Sequence, residues 1–227
     1  LHARRSIAVQ AAAGGVGLKA IEYAQWLGAP AVGTAGRPHK HRQLLSTGVF
    51  TRCSSRDGSA FGVGAAGMLH ADRLHAVLNS LSLDFIGASF AVLSERGSFE
   101  EIGKRGIWAL SRHVASARST AFCAIALDAD MAHEPAWMHV VLGVLAARTG
   151  AATTTSLPVQ SFDMETRYEA AFRTLQSGLN TGKVAVRIAA HRPAGSDGGH
   201  VVTGGSGGLG LLTGRWLAQR GAARLVL

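Results

Sequence analysis

The sequence predicts an α/β fold: a doubly wound, Rossmann-like parallel sheet, followed by a truncated second Rossmann unit at the C-terminus. Three observations carry this expectation. From Ser6 to about Ile188, short apolar runs alternate with helical patterns, the arrangement that gives parallel strands joined by crossover helices. A glycine-rich turn, Ala12-Ala13-Gly14-Gly15-Val16-Gly17, joins the first run to the first helix. A second glycine-rich turn, Thr203–Gly210, follows a break rich in Pro, Gly and Ser.

Ser6–Gln10 reads as the first strand. The helix after the turn spans about Val16–Leu27, with Val16, Ala20, Ile21, Ala24 and Leu27 sharing one face. Pro30–Thr34 reads as a strand and His39–Leu45 as a helix. His75–Asn79 and Ser98–Ile102 read as buried strands, with a helix over about Asp84–Val92 between them. Ala121–Leu127 is a further strand. Pro135 opens a helix over Glu134–Arg148, stopped at Gly150. Leu157–Phe162, a helix over about Glu165–Gln176, and Val184–Ile188 close the series. His191–Gly199 lacks apolar periodicity and reads as a linker. His200–Thr203, the second turn, a helix over about Leu211–Arg220 and Arg224–Leu227 begin a second unit. The expected domains are therefore 1–190 and 200–227, joined by 191–199. A lone strand–turn–helix cannot bury its own apolar face, so the chain is expected to be cut from something larger.

Of 227 residues, 47% are hydrophobic and 16% charged. That supports a sizeable core and excludes global disorder. Apolar stretches break well short of the ~20 residues a membrane helix needs, so no membrane span is expected. The formal net charge of +9 favours anionic partners. The basic residues are scattered and do not interleave with aromatics as in single-strand nucleic-acid binders. A nucleic-acid binder would rest on charge alone, and no nucleic-acid partner is expected. The ten histidines show no metal-ligand spacing with Cys or carboxylates, so no metal is expected. Cys53 and Cys123 read as free thiols of a reducing compartment. The four tryptophans are spread out and read as packing residues.

The first turn fits G-x-G-x-x-G with Ala12 in place of the first glycine. Such a turn needs a tight bend, close backbone approach to a pyrophosphate, and close helix–strand packing. Gly14 and Gly17 serve the last two. The following helix offers free N–H groups and a positive dipole to phosphates. At the end of the second strand, NAD sites carry Asp or Glu for the ribose 2′-hydroxyl. This chain has Thr34-Ala35-Gly36-Arg37-Pro38-His39-Lys40 there. Arg37 and Lys40 suit a 2′-phosphate, which favours NADPH over NADH; the plainer alternative is that both are ordinary solvated charges. The second turn, Thr203-Gly204-Gly205-Ser206-Gly207-Gly208-Leu209-Gly210, matches T-G-x-x-x-G-x-G, a nucleotide loop of different spacing. Its candidate contacts are Thr203, Gly204, Gly205, Gly208, Leu209 and Gly210.

Gln10–Gly17 resembles the cofactor loop of enoyl reductase domains in modular type I polyketide synthases. These belong to the zinc-free, quinone-oxidoreductase-like branch of medium-chain dehydrogenases. The resemblance continues through Ser54-Ser55-Arg56-Asp57, Val77-Leu78-Asn79-Ser80-Leu81, Glu101-Ile102-Gly103-Lys104-Arg105 and Gly182-Lys183-Val184. The tail, Thr203–Gly210 followed by Leu217–Ala222, resembles the start of a ketoreductase domain.

The resemblance implies NADPH-dependent reduction of a trans-2-enoyl thioester carried by an acyl carrier protein. Hydride goes to the β-carbon, and the enolate is protonated at the α-carbon. It puts Ala12, Ala13, Gly14, Gly15, Val16, Gly17, Ser55, Arg56, Asn79, Ser80 and Lys183 at the cofactor. It puts Lys104 and Asp128 where the family has its proposed proton donors. A cation beside an enolate stabilises developing charge, and a lysine can act as general acid. The implied partners are an acyl carrier protein bearing a phosphopantetheine thioester, other synthase domains of the same chain, and a second copy in a homodimeric synthase, all cytoplasmic. Three departures stand out: Gly106 where the family often has Asp, and Gln10 and Asn180 where it often has His. The family's substrate-binding domain lies mostly before the cofactor loop and is expected outside this chain. A free-standing quinone or alkenal reductase and a catalytically silent nucleotide-binding scaffold stay open as alternatives.

Overall fold

A computed structural model describes residues 2–69, 73–82, 84–188 and 198–227. The elements run β1 (Ile7–Val9), α1 (Gly15–Trp26), β2 (Ala31–Ala35), α2 (Pro38–Ser46), β3 (Thr51–Ser54), α3 (Gly58–Leu69), β4 (Leu74–Asn79) and α4 (Asp84–Val92). There follow β5 (Leu93–Glu101), α5 (Leu110–Ala117), β6 (Ala121–Ala124), α6 (Leu127–His133), α7 (Pro135–Gly150), β7 (Val159–Asp163), α8 (Met164–Ser177) and β8 (Lys183–Arg187). The last are β9 (Gly199–Val201), α9 (Gly208–Gln219) and β10 (Arg224–Val226). The chain divides into two compact units, Leu1–Ser161 with Glu169–Ala185, and Phe162–Tyr168 with Val186–Leu227.

The first unit holds a six-stranded sheet in the order β3-β2-β1-β4-β5-β6. Every neighbouring pair is parallel. This is the doubly wound order, in which the crossovers reverse direction beside β1 and open a crevice at the carboxyl ends of β1 and β4. Burial follows the pleat. Ala8 and Val9 are both fully buried but face opposite sides of the sheet. Ala8 joins a cluster with Phe61, Val77, Ile86 and Phe99. Val9 joins one with Leu18, Ile21, Leu44 and Val49. Thus α3 and α4 cover one face, and α1 and α2 the other, as an all-parallel sheet requires. Phe90 of α4 stacks on Phe99 of β5 at 4.5 Å, and Phe99 on Phe122 of β6 at 5.7 Å.

Several sequence expectations need correction. The stripe of α1 that is buried is Gly17, Leu18, Ile21 and Ala24; Val16 and Leu27 are exposed. Gly17 of this stripe lies against Ala12 in the turn that follows β1. The strand expected over Ala121–Leu127 stops at Ala124, and Leu127 already opens α6. Asp128 therefore sits in a helical first turn rather than at a strand end. β7 and β8 pair in a separate two-stranded sheet instead of extending the large one. Trp26, Trp137 and Trp216 are substantially exposed rather than packed inside; Trp26 lies under the Arg148 guanidinium at 4.0 Å. Cys53 is buried and Cys123 exposed, both free. The expected linker lies outside the described residues except for Gly198 and Gly199, and Gly199 begins β9.

In the second unit, β9 and β10 pair in parallel, with Val201 opposite Val226. With α9 between them in sequence, they form one strand–turn–helix–strand repeat. Among the described residues, no helix is long and apolar enough to cross a membrane.

Candidate cofactor and active site

The crevice begins where β1 ends. Ala12 donates its N–H to the Thr34 carbonyl at 2.9 Å. Ala11 donates its N–H to Thr34 Oγ1 at 2.9 Å, and Thr34 Oγ1 donates to Gln10 Oε1 at 2.9 Å. Gln10 Nε2 donates in turn to Ser89 Oγ at 3.1 Å. Gln10, Thr34 and Ser89 are buried, so each of these polar atoms needs its partner. Ala11 is left-handed, at φ 49, a conformation that costs an L-residue about 1–2 kcal/mol. Gly14 then caps α1 with no side-chain hydrogen bond and no acidic residue in the first turn, which leaves the helix N–H groups for an anion. Gly17 allows the close packing: a Cβ there would come within 2.6 Å of Ala12 Cα.

The second unit repeats this turn residue for residue, with Thr203–Gly210 in place of Gln10–Gly17. Gly204 is left-handed at φ 72, as Ala11 is at φ 49. Gly207 donates its N–H to Gly204 O at 2.9 Å, as Gly14 does to Ala11 O at 3.0 Å. Gly207 caps α9 at φ −81, ψ 165, and Gly14 caps α1 at φ −79, ψ 169. A Cβ on Gly210 would come within 2.5 Å of Gly205 Cα. The two turns therefore share one spacing, which corrects the expectation of different spacings: Gly205-x-Gly207-x-x-Gly210 is itself G-x-G-x-x-G. Leu209 is exposed and Gly205 buried.

Beside the first turn, at the carboxyl end of β2, a cavity of about 220 Å³ is lined by Ala11, Gly14, Gly36, Lys40, Ser55 and Arg56, among others. Among the described residues, no carboxylate lines it. Arg56 lies directly across the backbone of Gly36. Burial, and then the positive charges of Arg56 and Arg37, hold the pKa of Lys40 below the ordinary lysine value. Like charges gathered where, among the described residues, no carboxylate lines the cavity make a ready site for an anion. Arg37 also reaches α8, donating to Ser177 O at 3.3 Å, and His39 Nε2 meets Leu179 O at 3.0 Å.

On the other side of the same turn, a cavity of about 240 Å³ is lined by Gln10, Gly14, Val16, Ser80, Ile102 and Lys183, among others. Lys183 is held there by the backbone before it: Gly182 donates its N–H to Ala13 O at 2.9 Å, and Lys183 its own to Pro158 O at 2.9 Å. The aliphatic part of Lys183 lies over Gly15, where a Cβ would strike it.

Beyond Ser80, the ends of β4 and β5 are joined by buried polar groups. Asn79 Nδ2 donates to Glu101 Oε2 and to Leu81 O, both at 2.6 Å. Lys104, exposed, donates from Nζ to Ile125 O at 3.1 Å. Asp128 is exposed in the first turn of α6. No Lys104–Asp128 ion pair forms among the described residues, and neither side chain lines either cavity.

Of the residues singled out by sequence, the structure gathers Ala13, Gly14, Gly15, Val16, Gly17, Lys40, Ser55, Arg56, Ser80 and Lys183 around the two cavities. Ala12 is buried beneath the turn, and the Asn79 amide is engaged within the protein rather than facing a cavity. Thr203–Gly210 belongs to the second unit. Gln10, Thr34, Gly36, Ile102 and Asn180 also line these cavities; Gln10, Ile102 and Asn180 stand in the sequence only as parts of the resemblance or departures from it, and Thr34 and Gly36 only as the end of the second strand. Among the described residues, no group of three or more His, Cys, Asp or Glu could hold a metal ion.

No protein-family model matches the chain. A phenolphthiocerol/phthiocerol polyketide synthase polypeptide of Mycobacterium tuberculosis is 31% identical over 97% of this chain, which spans only 11% of that protein. The CurK enoyl reductase superposes with a TM-score of 0.75 and 29% identity, over 82% of this chain and 56% of that one. The nucleotide-binding subdomain of the enoylreductase domain of PpsC from Mycobacterium tuberculosis superposes with a TM-score of 0.61 and 26% identity, over 69% of this chain and 88% of that one. Sheet order, turn geometry and these matches agree: the chain is a homologue of the enoyl reductase regions of polyketide synthases and carries their Rossmann-like nucleotide-binding fold.

Proposed function

We propose that the chain is the nucleotide-binding part of an NADPH-dependent enoyl reductase in a polyketide synthase. Its substrate is a trans-2-enoyl thioester on an acyl carrier protein. The observation that carries this reading is the pair Lys40 and Arg56 in the cavity beside the uncapped start of α1, with the Arg37 charge felt by Lys40 and, among the described residues, no carboxylate in the lining. That arrangement fits a dinucleotide bearing a 2′-phosphate. Gly14–Gly17 would take the pyrophosphate, Lys40, Ser55, Arg56 and Arg37 the 2′-phosphate, and Ser80 and Lys183 the far half. When bound, NADPH supplies the hydride that adds to the β-carbon of the thioester.

The chain's own part is to hold charge and move a proton. Lys104, at the carboxyl end of β5, presents an ammonium that stabilises the enolate and donates a proton to its α-carbon. Asp128 is the second candidate donor. Residues 1–190 form the reductase portion, and 200–227 the start of a ketoreductase domain whose nucleotide loop is Thr203–Gly210. The acyl carrier protein and a homodimeric synthase remain the proposed partners, and the two free thiols accord with a cytoplasmic setting.

The test is stopped-flow oxidation of NADPH by the full-length polypeptide with a crotonyl thioester. Oxidation matched by butyryl thioester supports the reading. NADPH binding without oxidation would leave a silent scaffold, and oxidation only with a quinone would leave a quinone reductase.

A further inference from the structure

We propose that Glu101 is a positioning residue for this reduction, one that fixes Lys104 and the Asn79–Leu81 turn as a single rigid floor; the proposal rests on the functional reading above. Glu101 is the last residue of β5 and is 2% exposed. Its Oε2 accepts from Asn79 Nδ2 at 2.6 Å, and its Oε1 from the Gly103 N–H at 2.6 Å. No lysine or arginine pairs with it among the described residues. A buried carboxylate is costly unless its oxygens are well satisfied, and here N–H donors from two strand ends do this.

Both oxygens must accept. Asn79 is itself pinned: Nδ2 also donates to Leu81 O at 2.6 Å, and Oδ1 accepts from the Leu81 N–H at 3.3 Å. Turning its amide over would lose both bonds. Gly103 offers only a donor, and a Cβ on it would lie 2.6 Å from Glu101 Oε1. A carboxylate satisfies this set; an amide would turn N–H toward N–H.

The same residue closes a circuit around the lysine. Gly103, bound to the Glu101 carboxylate, leads directly into Lys104. Lys104 Nζ donates to Ile125 O at 3.1 Å, and the Ile125 N–H donates to Glu101 O at 2.8 Å. On the other flank, Asn79 and Leu81 bracket Ser80, which lines the second cavity. Glu101 touches neither cavity, so it acts through these neighbours. Misplacing a reacting group by about 1 Å can cost 10²-fold.

The test uses the full-length polypeptide with NADPH and a crotonyl thioester. Glu101→Gln should lower kcat roughly ten- to hundredfold, with a smaller loss of NADPH affinity, read by fluorescence titration, through Ser80. Exchange of the Gly103 amide hydrogen should quicken. In a Lys104→Ala background, Glu101→Gln should cost less than about threefold more, because coupled residues are not additive. If Glu101→Gln does not fold, Gly103→Ala carries the test, since it keeps the carboxylate but displaces it. Wild-type kcat in the tested variant, or a full extra loss on top of Lys104→Ala, would overturn the proposal while the functional reading stands. Absence of reduction by the wild-type enzyme would overturn the reading itself, and with it any role of Glu101 in turnover.

Discussion

The backbone N–H of Ala11 donates to Thr34 Oγ1 at 2.9 Å, and this bond holds a left-handed alanine, at φ 49, at the mouth of the crevice. The shape of the first turn therefore depends on a side chain of β2. Thr34→Val keeps the volume but strips the Ala11 N–H and Gln10 Oε1 of their partner. Gln10 is buried, and leaving its oxygen unsatisfied should cost about 1–3 kcal/mol, read as a lower urea midpoint at unchanged m-value. Unchanged stability would show that the hydroxyl is dispensable.

Cofactor choice should follow the cations of the first cavity. NADPH should bind about ten- to hundredfold more tightly than NADH, the equivalent of one charged hydrogen bond of about 1.5–3 kcal/mol. Changing Arg37 and Lys40 together to Ala should erase most of that preference, and Arg56→Ala should deepen the loss. Equal affinities in the unaltered protein, by fluorescence titration, would contradict the assignment.

Lys40 should make binding depend on alkaline pH. Burial, Arg56 and Arg37 lower its pKa in the folded chain from the ordinary 10.5. Below the folded value, the charged lysine weighs against the native state. Between that value and 10.5, the unfolded chain binds more protons, so stability rises with pH. Lys40→Met should flatten that rise. A 2′-phosphate would favour the protonated form, so NADPH affinity should fall as Lys40 deprotonates while NADH affinity does not. Parallel pH curves for the two nucleotides would exclude this role.

Lys104→Ala should lower turnover with little change in NADPH affinity. General acid catalysis is worth about 10²–10⁴-fold, and water can replace a lost donor, so the low end is expected. Asp128→Ala should add to the loss if the two residues support each other. Because Asp128 sits in a helix and makes no ion pair with Lys104 among the described residues, its share should be the smaller. Full turnover in the double variant would remove both as proton donors.

The thiols should react in order of access. Burial pushes the Cys53 pKa up to about 11. Burial, Glu100 and Asp130 also raise the pKa of Cys123, although its side chain is exposed. Since the thiolate is the nucleophile, iodoacetamide should label Cys123 first, and Glu100→Gln should speed it. Mass spectrometry showing Cys53 modified first would contradict this.

The parts of the fold legible in the sequence are those whose residues do their work locally. Gly14 and Gly17 announce a strand–turn–helix, and Arg37 and Lys40 carry their charge wherever they stand. By contrast, α3 contains Gly58, Gly62, Gly64 and Gly67 among small and apolar residues. It has no polar face to mark a stripe, and it is a helix because Phe61 and Ala65 pack into the core. β3 is Thr-Arg-Cys-Ser, too short and polar to signal a strand, yet pairing with β2 makes it one and delivers Ser55 and Arg56 to the cavity. Ala121–Leu127 reads as one apolar run, but Ile125 gives its N–H to Glu101 and Ala126 bends to φ −120, ψ 76, so α6 starts early. The link from Asn79 to Glu101 joins residues far apart in sequence, and only the folded sheet brings them together.

The two glycine turns answer one problem of chirality in different ways. In the second turn the mirror-tolerant residue is Gly204, which needs no outside help to stand at φ 72. In the first, Ala11 is kept in place by a tether from another strand. Thr203–Gly210 accordingly asks nothing of a neighbouring strand for the handedness of its bend. Gln10–Gly17 is a fixture of its own sheet: moved elsewhere, it would take its handed alanine along and leave Thr34 behind.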